Sequence, residues 1–167
     1  MKGEDISNRL QDLAVRMVKL VLALPKNQVG KHVGGQLLRC GTSAGANYEE
    51  ARGGQRLADF VHKLAVSWKE IREACFWLKI VQRTQLVKPS RIDGLLSEAG
   101  ELSAILGKSL TTAKNRAKKQ FLIFHSPFSV PHFPMESKRR NEEWRTENRK
   151  LRIFFARFLT RVDYLSV

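Results

Sequence analysis

Cysteine, histidine and proline are scarce in this chain, and their arrangement excludes several kinds of site. The 167 residues include two cysteines, four histidines and five prolines. Cys40 and Cys75 form no CxxC motif and no Cys/His cluster, so we expect two buried thiols in a reducing compartment rather than a disulfide or a reactive thiol. No histidine lies at zinc-ligand spacing from another histidine or a cysteine. The sequence therefore predicts no metal site and no cofactor.

Long apolar runs and catalytic motifs are also missing. No stretch approaches the roughly 20 apolar residues of a membrane-spanning helix, and charged residues are scattered through the N-terminal segment, unlike a secretory signal peptide. There is no GxxxxGKS or GxxxxGKT phosphate-binding loop, and His62, near Asp59, has no nucleophile at a matching spacing. We therefore expect a cytoplasmic protein without a membrane span and without enzymatic activity.

Positive charge, in contrast, is abundant. Lysine and arginine together number 30 against 16 aspartates and glutamates, which gives a formal net charge of +14. A basic excess of this size favours polyanionic partners such as RNA, DNA or an anionic lipid surface. The excess extends along the whole chain, with 19 basic against 11 acidic residues in 1–116 and 11 against 5 in 117–167.

Four segments have apolar residues at the alternating three- and four-residue spacing of an amphipathic helix. They cover about residues 6–24, 31–52, 56–85 and 90–114, with Pro25, Gly53-Gly54 and Pro89 at their boundaries. Because the connections between them are short, successive helices should run antiparallel. The sequence therefore predicts an all-α, up-down-up-down four-helix bundle over residues 1–116.

Two of these helices have distinctive compositions. The second is rich in small residues, and Gly41 and Gly45 predict a close contact with a neighbouring helix. The third has the longest apolar stripe, which should point into the core. This stripe consists of Leu57, Phe60, Leu64, Trp68, Ile71, Cys75, Leu78 and either Val81 or Gln82. Outside the stripe, Asp59 and Lys63 have the spacing of an i,i+4 ion pair.

Residues 117–167 differ from the rest of the chain in composition. Seven of the nine phenylalanines fall in this part, and prolines interrupt positions 127–134. We expect a C-terminal extension in which a linker precedes a charged helix over about residues 136–164. Basic and aromatic residues together suit nucleic acid or an anionic membrane surface. The extension is predicted either to contact such a partner or to have no binding role.

The middle of the chain carries a recognisable motif. Residues 36–53, QLLRCGTSAGANYEEARG, resemble the second helix of the bacterial four-helix-bundle proteins named after 23S rRNA intervening sequences. Arg56, Asp59 and Trp77 match that family's third helix, and the likeness spans about residues 4–114. The resemblance implies a four-helix bundle that assembles into a homopentamer. Through the similar accessory variability determinants of diversity-generating retroelements, it also implies RNA binding and a polymerase-type partner, a reverse transcriptase.

Basic residues on three predicted helices form the candidate nucleic-acid-binding set. Those on the third helix share one face around Phe76, because their spacing follows the helical period. Such stripes can follow a phosphate backbone, and the alternative for each is an ordinary solvated helix face. For Arg39 and Arg52 a further alternative is an ion pair with Glu49, Glu50 or a neighbour. The set consists of Arg9, Arg16, Arg39, Arg52, Lys69, Arg72, Lys79 and Arg83.

A polar cluster is expected at the turn between the second and third helices. Its members are Asn47, Glu50, Arg56 and Asp59. We expect a structural network that fixes the turn, because buried charges must be paired, and a ligand or partner site is the alternative.

Together these features predict a non-catalytic, self-associating accessory protein that binds nucleic acid, RNA in particular, through basic helix faces. The alternative is a ring-shaped scaffold for a polymerase-type partner, without nucleic-acid affinity.

Overall fold

The computed structural model consists of four long α-helices and one short 3-10 turn over residues 3–124, which are the residues it describes, with side chains as far as residue 121. The helices are α1 (Gly3–Leu22), α2 (Gln28–Gly53), α3 (Leu57–Arg83) and α4 (Asp93–Phe124). The 3-10 turn covers Pro89–Arg91, between α3 and α4. The helix predicted over residues 136–164 lies outside the described residues.

Local sequence signals set the ends of α2. The side-chain Oδ1 of Asn27 accepts a hydrogen bond from the backbone N–H of Gly30 at 2.9 Å, which caps the N-terminus. At the other end the N–H of Gly54 donates to the carbonyl of Ala51 at 3.1 Å. Gly54 has φ −66° and ψ 130°, so the turn into α3 does not require the left-handed backbone that glycine allows.

Each helix runs antiparallel to the next, and the four close into one bundle. α2 contacts α1 and α3, while α4 contacts α3 and α1. Along the seam between α1 and α4 the contacts run in opposite sequence order, since Arg9 pairs with Glu98 and the later Arg16 lies beside the earlier Gly94. The predicted up-down-up-down four-helix bundle is confirmed.

The core is built from one apolar stripe on each helix. Burying a Leu, Ile or Met side chain contributes about 1.5–3 kcal/mol, so these residues supply most of the stability. Its largest fully buried members include Leu10, Leu13, Met17, Leu37, Leu64, Ile71, Leu78, Ile92, Leu102 and Leu106. Among the residues that the structure describes, no helix is long and apolar enough to cross a membrane.

α4 is longer than predicted. It ends at Phe124, whereas the sequence pattern placed its end near Lys114. The last buried residue on this helix is Ala113, so the apolar pattern stops there. The residues that follow include Arg, Ala, Lys and Gln, which are strong helix formers, and no proline or glycine interrupts them before residue 124. Local helix propensity therefore continues the helix beyond its core contacts.

The buried face of α3 is turned by about one residue position from the predicted stripe. The predicted positions that are buried are Leu64, Ile71 and Leu78, together with Val81 at the end of the stripe. The predicted positions that are only partly buried are Leu57, Phe60, Trp68 and Cys75. Small residues, Ser67 and Ala74, lie in the core instead, and the Ser67 hydroxyl donates to the carbonyl of Ala44 on α2 at 2.7 Å. Ser67 thus contacts α2, and the larger Trp68, the next residue, lies at the seam with α4.

Glycines on α2 allow α1 and its connecting turn to approach closely. A Cβ added to Gly41 would lie 3.3 Å from both Cβ and Cγ of Met17, and closer still to its Sδ, so the predicted close contact exists at this position. At Gly45 the nearest atom would be Leu10 Cβ at 3.7 Å, an ordinary contact that an alanine would tolerate. The close seam therefore depends on Gly41 and not on Gly45.

Candidate nucleic-acid interface

Arg9 is held in an ion pair between α1 and α4. Its Nε lies 2.8 Å from Oε1 of Glu98, and its Nη2 lies 2.8 Å from Oε2 of Glu101. The hydrogen bonds to Glu98 and then to Glu101 raise the pKa of Arg9, and the bond from Arg9 lowers the pKa of Glu98. Arg9 therefore links two helices of the bundle.

Arg39 and Arg52, both on α2, are also paired. Arg39 Nη1 lies 3.3 Å from Oε2 of Glu70 on α3, and its Nη2 pairs with Glu73. The hydrogen bond to Glu73 raises the pKa of Arg39 and lowers that of Glu73. Arg52 Nη1 lies 3.0 Å from Oε1 of Glu49, one turn earlier on the same helix. Three of the eight predicted binding residues are thus engaged within the chain.

The other five predicted residues form no ion pair among residues 3–121. Arg16 is exposed on α1, close to α4. Lys69, Arg72, Lys79 and Arg83 are all exposed on α3. Lys69 and Arg83 are 14 positions apart, so this row extends over about 21 Å at 1.5 Å per residue.

A groove between α3 and α4 runs beside this row. Its volume is about 720 Å³. From α3 it is lined by Trp68 and Arg72, and the guanidinium carbon of Arg72 lies 4.8 Å from the centre of the Trp68 ring, a cation–π contact. From α4 it is lined by Gly100, Ser103, Ala104, Gly107, Lys108, Thr111 and Thr112. Sequence reasoning missed this groove because it placed Trp68 in the core.

Arg72 of α3 and Lys108 of α4 line this groove, while the glutamates of the same helices pair elsewhere. Both glutamates of α3 pair with Arg39 on α2, and both glutamates of α4 pair with Arg9 on α1. No carboxylate lines the groove. We refer to the resulting surface as the basic α3–α4 face. It consists of Lys69, Arg72, Lys79 and Arg83 of α3 and Lys108 of α4.

The structure distributes the predicted polar cluster over separate contacts. The Asn47 amide donates to the Ser43 carbonyl at 2.9 Å within α2. Glu50 pairs with Lys63 across the α2–α3 seam, so the ion pair predicted between Asp59 and Lys63 was wrong. The fourth member, Arg56, is the N-cap residue of α3 and makes no side-chain capping bond. Within the described residues, no two of these four side chains hydrogen-bond to each other.

Both cysteines are free, as predicted. Cys40 is fully buried, and this burial raises the pKa of its thiol to about 12. Cys75 is only partly buried on α3, so the predicted burial was wrong for this thiol. In the part of the chain that the structure describes, no group of three His, Cys, Asp or Glu side chains is arranged to hold a metal ion.

These features define a basic four-helix-bundle protein with two cations, Arg72 and Lys108, lining a groove between α3 and α4. Residues 4–108 match the sequence model of the 23S rRNA-intervening sequence proteins, and the chain belongs to this family, as its motif indicated. A similar crystal structure is that of a protein of unknown function from the S23 ribosomal protein family of Bacteroides thetaiotaomicron. The two chains are 32% identical in sequence and have a TM-score of 0.61. The match covers 66% of this chain and 99% of that one. No curated protein is significantly similar to the chain.

Proposed function

We propose that this protein is a non-catalytic accessory protein that binds nucleic acid through the basic α3–α4 face. One observation carries the proposal: five cations occupy this face without an ion pair among residues 3–121, while the glutamates of the same two helices pair with α1 and α2. Pairing those glutamates elsewhere leaves positive potential at the groove, where a polyanion would be attracted.

The dimensions of the face suit a phosphate backbone. Its row on α3 extends over about 21 Å, which corresponds to about six nucleotides at 3.4 Å per nucleotide of a duplex strand. Lysine and arginine that contact phosphates release condensed counterions, so affinity falls as salt rises. The name of the family refers to 23S rRNA, and we therefore take RNA as the first ligand to test.

The proposal narrows the predicted binding set. Arg9, Arg39 and Arg52 are assigned to the bundle, because contacting phosphate would require each to leave a carboxylate partner. Arg16 remains a candidate, since it is exposed and forms no ion pair among the described residues. Lys108, which sequence reasoning omitted, joins the set through its position in the groove.

The experiment compares two triple variants of equal charge. In the first, Lys69, Lys79 and Arg83 are changed to glutamine. In the control, the exposed Lys19, Lys26 and Lys31 of the α1–α2 side are changed to glutamine. Binding is measured by fluorescence anisotropy with a labelled 20-nucleotide RNA over a series of salt concentrations.

We expect the variant of the basic α3–α4 face to bind about 10- to 100-fold more weakly at low salt, with a salt slope reduced by about two to three. The control variant has the same net charge and should bind almost as the wild type does. Equal losses in both variants would mean that net charge alone attracts RNA, and would overturn the assignment to this face. No binding by the wild type would overturn the function itself.

A second candidate function, a self-associating protein scaffold, is favoured by exposed apolar side chains. Val15, Val18 and Leu22 recur on the outer side of α1, and Leu22 is 78% exposed. Leu38 is exposed on α2, the helix that packs against α1. Exposed apolar patches mark protein interaction surfaces. We propose that the chain self-associates through this surface, with a homopentamer as the expected form, and that a polymerase-type protein is a further partner.

A further inference from the structure

Trp68 and Arg72 form a flat cationic surface at the mouth of the α3–α4 groove. The indole is partly buried, and its pyrrole edge faces Gly107, where an added Cβ would lie 3.1 Å from Nε1. The guanidinium of Arg72 lies over the ring, with its carbon 4.8 Å from the ring centre. Arg72 itself is exposed. The planar guanidinium of Arg72 is therefore accessible to solvent, and the Trp68 ring packs against it.

The opposite wall of the groove is made of small and hydroxyl-bearing residues. Gly100, Ala104 and Gly107 leave space in front of the Trp68–Arg72 pair. The volume of about 720 Å³ falls within the range of small-ligand sites, about 300–1,000 Å³. The Thr111 hydroxyl donates to the Gly107 carbonyl at 3.0 Å, so its oxygen is free to accept a bond from a ligand amino group.

This combination suits an unpaired nucleobase. Bases of single strands stack on aromatic rings and on arginine guanidinium planes, and this stacking tolerates any base. Lys108 lines the same groove. On α3 the exposed Lys69 and Lys79 lie three positions before and seven positions after Arg72, from which they can reach the phosphates that flank a bound base. A duplex keeps its bases stacked inside, so it can use the cations but not the groove.

We propose that the α3–α4 groove binds one unpaired base against the Trp68–Arg72 pair, so that the protein prefers single-stranded to duplex nucleic acid. This inference rests on the proposed function and specifies the class of nucleic acid. An acidic peptide would also be attracted by the cations, but it would gain nothing from the stacked plane. The geometry therefore favours nucleic acid as the occupant.

The test uses substitutions that separate stacking from charge. Arg72→Lys keeps the positive charge and removes the plane, and Trp68→Leu removes the ring and keeps an apolar side chain. Gly107→Ala suits the helix and pushes a methyl group towards the indole. Each is measured by anisotropy with a labelled 20-nucleotide single-stranded RNA and with the matching duplex over a series of salt concentrations. Circular dichroism confirms that each variant is folded.

We expect Trp68→Leu and Arg72→Lys to weaken single-strand binding by about tenfold, the order of one lost base stack. Gly107→Ala should weaken single-strand binding in the same direction. Duplex affinity should change by less than about twofold and the salt slope should remain unchanged, because no phosphate contact is removed.

Three results would overturn the inference, and they are distinguishable from one another. If single strand and duplex bind equally and the variants change neither, the groove takes no base, although the proposed function stands. If polyglutamate competes for the face and its binding falls with Trp68→Leu, the groove is a peptide site. If the wild type binds neither nucleic acid, the proposed function fails together with the inference.

Discussion

Gly30 is the position at which the connection from α1 comes closest to α2, and it offers the sharpest test of the fold. The residue is buried, and its N–H donates to the capping Asn27 Oδ1 at 2.9 Å. A Cβ added here would lie 2.9 Å from the carbonyl carbon of Pro25, 3.3 Å from its nitrogen, and closer still to its oxygen. These are backbone atoms, which cannot swing aside as the end of a side chain can. Gly30→Ala must therefore displace the connection or the first turn of α2.

The expected loss can be worked from three contributions. Overpacking of a filled site costs about 1–3 kcal/mol, and weakening the Asn27 cap costs about 1 kcal/mol more. Alanine returns at most about 1 kcal/mol through its higher helix propensity. We therefore expect Gly30→Ala to lower the free energy of unfolding by about 2 kcal/mol. Gly35 is the matched control, because it is exposed on the same helix and an added Cβ would meet nothing within 4 Å. Gly35→Ala should raise the free energy of unfolding by about 0.5–1 kcal/mol.

Urea unfolding followed by far-UV circular dichroism measures both effects. Both variants and the wild type are compared at one protein concentration, because self-association would make the apparent stability depend on concentration. The predicted separation between the two alanine variants is about 3 kcal/mol. If both variants are stabilised to a similar extent, the close approach of Pro25 to Gly30 does not constrain the fold and the reasoning is refuted.

Two further predictions concern one ion pair and the apolar surface. Glu98→Gln should cost about 1 kcal/mol at neutral pH. Because Arg9 lowers the folded pKa of Glu98, this contribution is present above the ordinary glutamate value near pH 4.3 and is lost as the pH falls through the folded value. The urea midpoints of Glu98→Gln should therefore converge with those of the wild type at acid pH, and a difference between them that does not change with pH would contradict this. Changing Val18 and Leu38 together to Asp should convert a discrete oligomer into a folded monomer by light scattering. A monomeric wild type would exclude self-association.

The four helices and their order were predictable because periodicity records which residues are apolar. It does not record which neighbour each edge of a helix meets. α3 packs against both α2 and α4, so residues on a wide part of its circumference contact a neighbouring helix. The stripe of large residues therefore did not predict correctly which side chains are buried. Ser67 and Ala74 are both buried, and Ser67 donates a hydrogen bond to Ala44 of α2, so small and polar residues hold core positions that a ranking by hydrophobicity does not predict. Trp68 was consequently misplaced, and the groove beside it was missed.

The partners of charged residues were less predictable than the helices. Arg9 binds Glu98 across 89 positions of sequence, and Arg39 binds Glu73 across 34. Only pairs within one helix follow from local spacing, and of the pairs considered, Arg52 with Glu49 forms in this way. Charge counts therefore identified a basic protein correctly, but they could not separate structural arginines from those available to a ligand.

The distribution of ion pairs over the seams of the bundle links its stability to its proposed function. Among the described residues, ion pairs cross the α1–α2, α1–α4 and α2–α3 seams, and none crosses the α3–α4 seam. That seam is closed at the groove by the contact of Trp68 with Gly107. A glutamate near Arg72 or Lys108 would add up to about 1 kcal/mol of stability as a surface pair. It would also cancel the positive potential of the groove. Where a sequence lacks a stabilising ion pair that it could form, a functional site is expected. Here the unpaired Arg72 lies on Trp68, the aromatic side chain at which we propose that a base stacks.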